Sequence, residues 1–243
     1  MCNHSLLAYD GCALSPLIRR SLLDARPTRH AASHAASRAA SRAARRARRS
    51  RLQSRQSRPL GLAGFGLTTV VLSAINAGLL PHEAVAAVVP LAFAYGGVAQ
   101  LIAGALEFKV GNTFGMVAFT SYGLFWWWFA LLQWTVGAGW LQAPPPAAGG
   151  TVLMMWGVFT LLMWIVSFRL SKAVWSIFLL LWITFFLLAW GDFGYSIGAV
   201  TCGTLGGYFG LATGIDALLV AFIEVLNATA NRAVIPVGKP FLT

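Results

Sequence analysis

Charge is scarce in this chain. Only 10% of its 243 residues are Asp, Glu, Lys or Arg, against about 25% in a soluble globular protein. With 58% hydrophobic residues and a mean hydropathy of +0.70, that scarcity excludes an ordinary water-facing surface. Acids are rarer still, seven against 18 Lys and Arg, for a net charge of +11. Such an excess suggests nucleic acid when it covers a folded body, and here it does not. Residues 1–58 hold 13 of the 18 basic groups with two acids, Asp10 and Asp24, and from Pro59 onward five bases meet five acids. A cationic leader (1–58) precedes a neutral, apolar body (59–243), and no nucleic-acid partner is expected.

Chemical machinery is also missing. Cys2, Cys12 and Cys202 are odd in number and lack a C-x-x-C spacing, so no zinc site or disulfide framework is indicated. The body's only His is His82, outside the apolar runs, and no P-loop lysine motif is present. A hydrolase needs a nucleophile with an activating base, and an energised pump needs nucleotide-binding parts. The chain is therefore expected to be neither an enzyme nor an ATP-driven pump, with no cofactor and no metal. Passive or proton-coupled passage of a small solute is the class left.

The leader is rich in Ala, Arg and Ser and nearly acid-free. Its composition suits an organelle transit peptide, an arm on anionic lipid head groups or on nucleic acid, a disordered tail without a partner, or an upstream extension of the reading frame that the working protein lacks. A secretory signal is disfavoured, because no apolar run of adequate length precedes a small-residue cleavage site.

After Pro59 the apolar stretches approach the roughly 20 residues that cross hydrocarbon as a helix. They cover approximately Leu60–Leu80, Ala84–Leu106, Thr113–Val136, Thr151–Phe168, Ala173–Trp190 and Thr204–Leu226. This predicts an all-α membrane protein of six transmembrane helices. With the N-terminus inside, Lys109, Arg169, Lys172, Arg232 and Lys239 all fall on the inner side, and the outer loops contain only Glu83 and Asp192. That distribution obeys the positive-inside rule and places both termini in the cytoplasm.

The polar residues of the spans form stripes. At roughly 100° per residue, Phe65, Thr69 and Asn76 share one side of the first span, flanked by Thr68 and Ser73. Such a face either lines a pore or supplies interhelical hydrogen bonds, and Asn76 also suits a helix cap. Gly96, Gln100, Ala103 and Glu107 form a second stripe. Glu107 is two residues from Lys109, so it is either an intramembrane functional group or an interfacial carboxylate paired with that cation. In the last span Gly206, Gly210 and Gly214 make a helix-packing ridge. Asp216 and Asn227 lie within about 20° of one another on that helix, and Glu224 about 80° away. Asp216, the deepest charge of the body, is expected to face a cavity or a hydrogen-bond donor.

Linked motifs then resemble a family. Pro59-Leu60-Gly61-Leu62, Gly64-Phe65-Gly66, Tyr95 to Gln100, Glu107-Phe108-Lys109-Val110-Gly111-Asn112-Thr113-Phe114-Gly115 and Phe119 to Gly123 are similar to blocks of the acetate uptake transporters. Trp156 to Thr160 and Glu224 to Asn227 resemble its later landmarks. That family comprises bacterial succinate–acetate permeases and fungal ammonia/acetate exporters. Its entry motif is Asn-Pro-Ala-Pro-Leu-Gly-Leu, and this chain departs from it at Gln56-Ser57-Arg58.

The resemblance implies a six-helix protomer with its own solute path, a homo-hexamer in the membrane plane, and a narrow constriction at Phe65, Tyr122 and Leu181. It implies a permease in the plasma (inner) membrane for small monocarboxylates, acetate and also succinate, proton-coupled or channel-like. An organellar membrane follows instead if the leader is a transit peptide. Thr69, Asn76, Gln100, Thr120 and Ser121 are the polar candidates for the path, and Glu107, Asp216 and Glu224 the carboxylates that either link to protons or support the structure. Rival readings are a channel for ammonia or another neutral solute, and a membrane scaffold that transports nothing.

Overall fold

The computed structural model describes residues 29–242, and contacts divide the chain into residues 1–48 and 49–243. In the first unit the leader is helical from Arg29 onward, and side chains described between residues 33 and 45 are exposed. Composition suggested disorder there, but alanine has the highest helix propensity and recurs throughout this stretch.

The second unit contains six helices long and apolar enough to cross a membrane. The membrane part of α1 (Arg29–Asn76) is Ser57–Asn76; α2 spans His82–Lys109, α3 Thr113–Gly137, α4 Pro146–Ser167, α5 Lys172–Asp192 and α6 Cys202–Thr229. All six predicted runs become helices, with shifted ends. The α4 helix begins at Pro146 rather than Thr151, because proline at a first helical position has no N–H to lose and a suitable φ. Asn112, Ser171 and Thr201 cap α3, α5 and α6, their side chains accepting from the backbone N–H of Gly115, Val174 and Thr204. A two-residue hairpin, β1 (Ser196–Ile197) with β2 (Val200–Thr201), precedes α6 and turns at Gly198, whose φ is 62°.

The second helix is irregular. It opens with a 3₁₀ turn at His82–Ala84 and changes to a π-helical stretch over Ala92–Ala99 before returning to α geometry at Gln100. Pro90, just ahead of the π stretch, lacks a backbone donor. Within the π stretch the Phe93 carbonyl accepts from Trp127 Nε1 at 3.1 Å, and the two rings stack with centroids 5.2 Å apart.

The expected glycine ridge of α6 does pack, against two helices. A Cβ on Gly214 would lie 2.9 Å from the Gly66 carbonyl oxygen in α1, and one on Gly206 2.8 Å from the Leu188 nitrogen in α5. Such approaches are open only to small residues. The α5 helix packs against both α4 and α6, and its Phe178, Leu181 and Phe185 join Phe65, Tyr122 and Phe125 in the buried core.

After α6 the chain returns along one end of the bundle. Asn227 accepts from the backbone N–H of Val234 (2.7 Å) and Ile235 (3.0 Å) and donates to the Ile235 carbonyl (2.7 Å). Ala173 N–H donates to Val237 O, and Phe241 N–H to Phe168 O, each at 3.1 Å. This end also holds the Lys109 and Arg169–Lys172 connections and is called the basic end below. The end with Glu83 and Asp192 is the acidic end.

Candidate functional site

Two cavities occupy the bundle. The basic-end cavity, about 170 Å³, lies among Arg58, Phe65, Gln100, Asn112, Tyr122, Leu181 and apolar neighbours. The acidic-end cavity, about 310 Å³, lies among Phe65, Thr69, Ser73, Asn76, Gln133, Leu181, Thr184 and Asp192 with further aromatics. Among the described residues, only Phe65 and Leu181 border both, and these two apolar side chains make the partition between them.

Tyr122 borders only the basic-end side of that partition. Its ring lies 5.8 Å from Phe65 and 6.1 Å from Phe178, and it is fully packed. Its hydroxyl is 2.9 Å from Thr160 Oγ1. Thr160 donates its own proton to Trp156 O at 2.7 Å, so Tyr122 is the donor in that pair.

The polar candidates separate. Thr69 and Asn76 border the acidic-end cavity and Gln100 the basic-end one. Thr69 spends its proton on Phe65 O at 2.7 Å, which leaves its oxygen as an acceptor. Gln100 is 1% exposed, and its amide oxygen has no hydrogen-bond partner among the described residues. Thr120 and Ser121 border neither cavity. Thr120 packs against Gly104, where an added Cβ would meet its Oγ1, and Ser121 faces a shallow hollow with Thr151, Met155 and Phe159. They directly follow Phe119 along α3, each turned about 100° from the last, and of Thr120, Ser121 and Tyr122 only Tyr122 borders the basic-end cavity.

The three carboxylates are each held by a partner. Glu107, 0% exposed, accepts from Ser57 Oγ at 2.5 Å and Asn112 Nδ2 at 2.6 Å. Those partners replace the Lys109 pairing that sequence proximity suggested, and Lys109 itself is exposed. Asp216 accepts from Ser176 Oγ at 2.7 Å, on the α5–α6 contact, and borders neither cavity. Glu224 forms an ion pair with Arg58, Nη2 to Oε1, at 2.7 Å.

The entry motif thus performs structural work. Pro59 is buried, Leu62 borders the basic-end cavity, and Gly61 admits the Phe119 ring, which an added Cβ would meet at 2.6 Å. Leu60 is half-buried beside them. Asn112 caps α3 through Oδ1 and binds Glu107 through Nδ2. Arg58, Ser57, Gln133 and Thr184 were not singled out from the sequence. For Arg58 the available signal was a cation placed directly against a motif whose family residue is alanine.

The fold defines an integral membrane protein of six apolar helices, with two cavities that share Phe65 and Leu181 in their walls. The chain belongs to the GPR1/FUN34/yaaH family, whose pattern matches residues 45–239. It is 42% identical over 185 residues to an uncharacterized protein of Methanothermobacter thermautotrophicus, covering 73% of this chain and 88% of that one. It is 38% identical over 181 residues to the succinate-acetate/proton symporter SatP of Escherichia coli (strain K12), covering 74% and 94%. The solved structure of the bacterial acetate channel SatP superposes with a TM-score of 0.70 at 38% identity, over 75% of this chain and 98% of that one.

Proposed function

We propose that this protein carries acetate and similarly small carboxylates across the plasma membrane, one path per protomer, through the two cavities and past Phe65 and Leu181. The observation that supports this most is that cavities from opposite ends meet at those two side chains. A carboxylic acid titrates near where Glu does, at about 4.3, and is an anion at neutral pH. Passing an apolar partition therefore favours the small, briefly protonated acid over a hydrated ion. The unpartnered amide oxygen of Gln100 is an acceptor suited to that acid's O–H. Proton coupling and a homo-hexamer belong to the same proposal, and catalysis does not.

Purified protein in proteoliposomes, given labelled acetate and an imposed pH gradient, tests it. Saturable uptake that exceeds empty vesicles and grows with the inward proton gradient is expected. Acetate flux equal to that of empty vesicles overturns the proposal. Flux that ignores the gradient removes the proton coupling alone.

A further inference from the structure

Among the described residues, the basic-end cavity contains one charged side chain, Arg58. Among its polar residues, Asn112 bonds Glu107 and Gly115, Tyr122 donates to Thr160, and Ser171 accepts from the Val174 N–H. Gln100 and Arg58 retain hydrogen-bonding capacity. A guanidinium offers five N–H donors in a planar fork, and the Glu224 ion pair joins one terminal nitrogen to one oxygen. Arg58 is 30% exposed, so water and solute reach it.

Arg58 also borders a second hollow, with Glu224, Asn227, Arg232 and Val237. That hollow is bordered by a second arginine, Arg232, and shares Arg58 and Val237 with the basic-end cavity. Among the described residues, Asp192 is the only charged one bordering the opposite cavity, so the two cavities carry opposite charges. A carboxylate fits an arginine fork in a bidentate manner, which a lysine or amide does not match.

We propose that Arg58 is a carboxylate-binding residue of the path, whose guanidinium exchanges the Glu224 carboxylate for that of the solute at the basic end. The inference rests on the reading that small carboxylates are the solutes. Glu224 then acts as an internal competitor: it holds the fork in position when the path is empty and limits how tightly a solute is held. Such moderation suits transport, because a ligand must also leave.

The test compares acetate KM in proteoliposomes for wild type, Arg58→Ala, Arg58→Lys and Glu224→Gln, with melting in detergent as the control for folding. Arg58→Ala is expected to raise KM about tenfold, the worth of one charge-assisted hydrogen bond. Arg58→Lys should raise it less, and Glu224→Gln, which removes the competitor, should lower it. If Arg58 only ties α1 to α6, Arg58→Ala and Glu224→Gln move KM together or leave it within about twofold of wild type, and the proposal falls. Should Arg58→Ala fail to fold, the opposed shifts of Arg58→Lys and Glu224→Gln decide by the same criterion. A wild-type protein that moves no acetate overturns the functional reading, and the Arg58 role with it.

Discussion

The Tyr122 hydroxyl donates to Thr160 at 2.9 Å, and Thr160 passes its own proton to Trp156 O at 2.7 Å. The chain of donors runs outward into α4, away from the path. Tyr122→Phe should therefore leave acetate flux near wild type, although the sequence suggested a hydroxyl able to hand a carboxylate across. Its effect should appear in stability, as a loss of about 1 kcal/mol measured by thermal melting in detergent. A large fall in flux from a protein that melts normally would return the hydroxyl to the solute.

Phe65→Ala and Leu181→Ala each remove half of the partition. Both should admit carboxylates larger than acetate, measured as relative uptake across a series of increasing chain length. A stability cost of roughly 2–5 kcal/mol accompanies the truncation of a buried side chain. A folded variant of either kind with the wild-type substrate range would sink the partition.

Asp216 is bonded to Ser176 on the α5–α6 contact and borders neither cavity. Asp216→Asn is thus expected to keep both the rate of acetate uptake and its dependence on external pH. A flattened pH profile in a well-folded Asp216→Asn protein would make it the proton-linked group instead.

Topology follows from the charges of the loops. Single cysteines in place of His82 and Asp192 should react with an impermeant thiol reagent added to intact cells. Cysteines at Arg169 and Lys239 should react only after the membrane is opened. These positions avoid Gly238, whose φ of 81° and close Lys172 side chain leave no room for a Cβ. Labelling of Arg169→Cys in intact cells would invert the assignment of the basic end to the cytoplasm.

Among the described residues, every one that borders either cavity is Arg58 or later. Removing residues 1–55 should accordingly preserve membrane insertion and acetate uptake while retaining Ser57 for Glu107. Loss of uptake by a truncated protein that reaches the membrane would give the leader a function.

Runs of apolar residues are local, so the six spans were legible within a few residues. The side of the first span that borders the acidic-end cavity was legible too, because a regular helix places Phe65 beside Thr69 and Asn76. Contacts between distant segments were not. Ser57 and Glu107 are 50 positions apart, and only folding shows that Glu107 takes a hydroxyl and an amide rather than Lys109. Arg58 was counted with the leader because charge totals divide the chain at a proline, whereas the helix runs through that proline. The π stretch of α2 leaves a weak trace, Pro90 before two glycines, and it changes the phase of the very stripe that was drawn through Gly96 and Gln100. Thr120 and Ser121 border neither cavity although Tyr122 borders one, because consecutive residues of a helix point about 100° apart.

The returning segment after α6 has a practical consequence for recombining relatives. Val237 forms part of the basic-end cavity wall and sits where Asn227, Ala173 and Phe168 fix the backbone. Chimeras that exchange α5 or α6 between homologous proteins therefore need the last dozen residues from the same parent. Otherwise one wall of the chamber is cut to another molecule's shape, and an altered solute preference would be credited to the wrong helix.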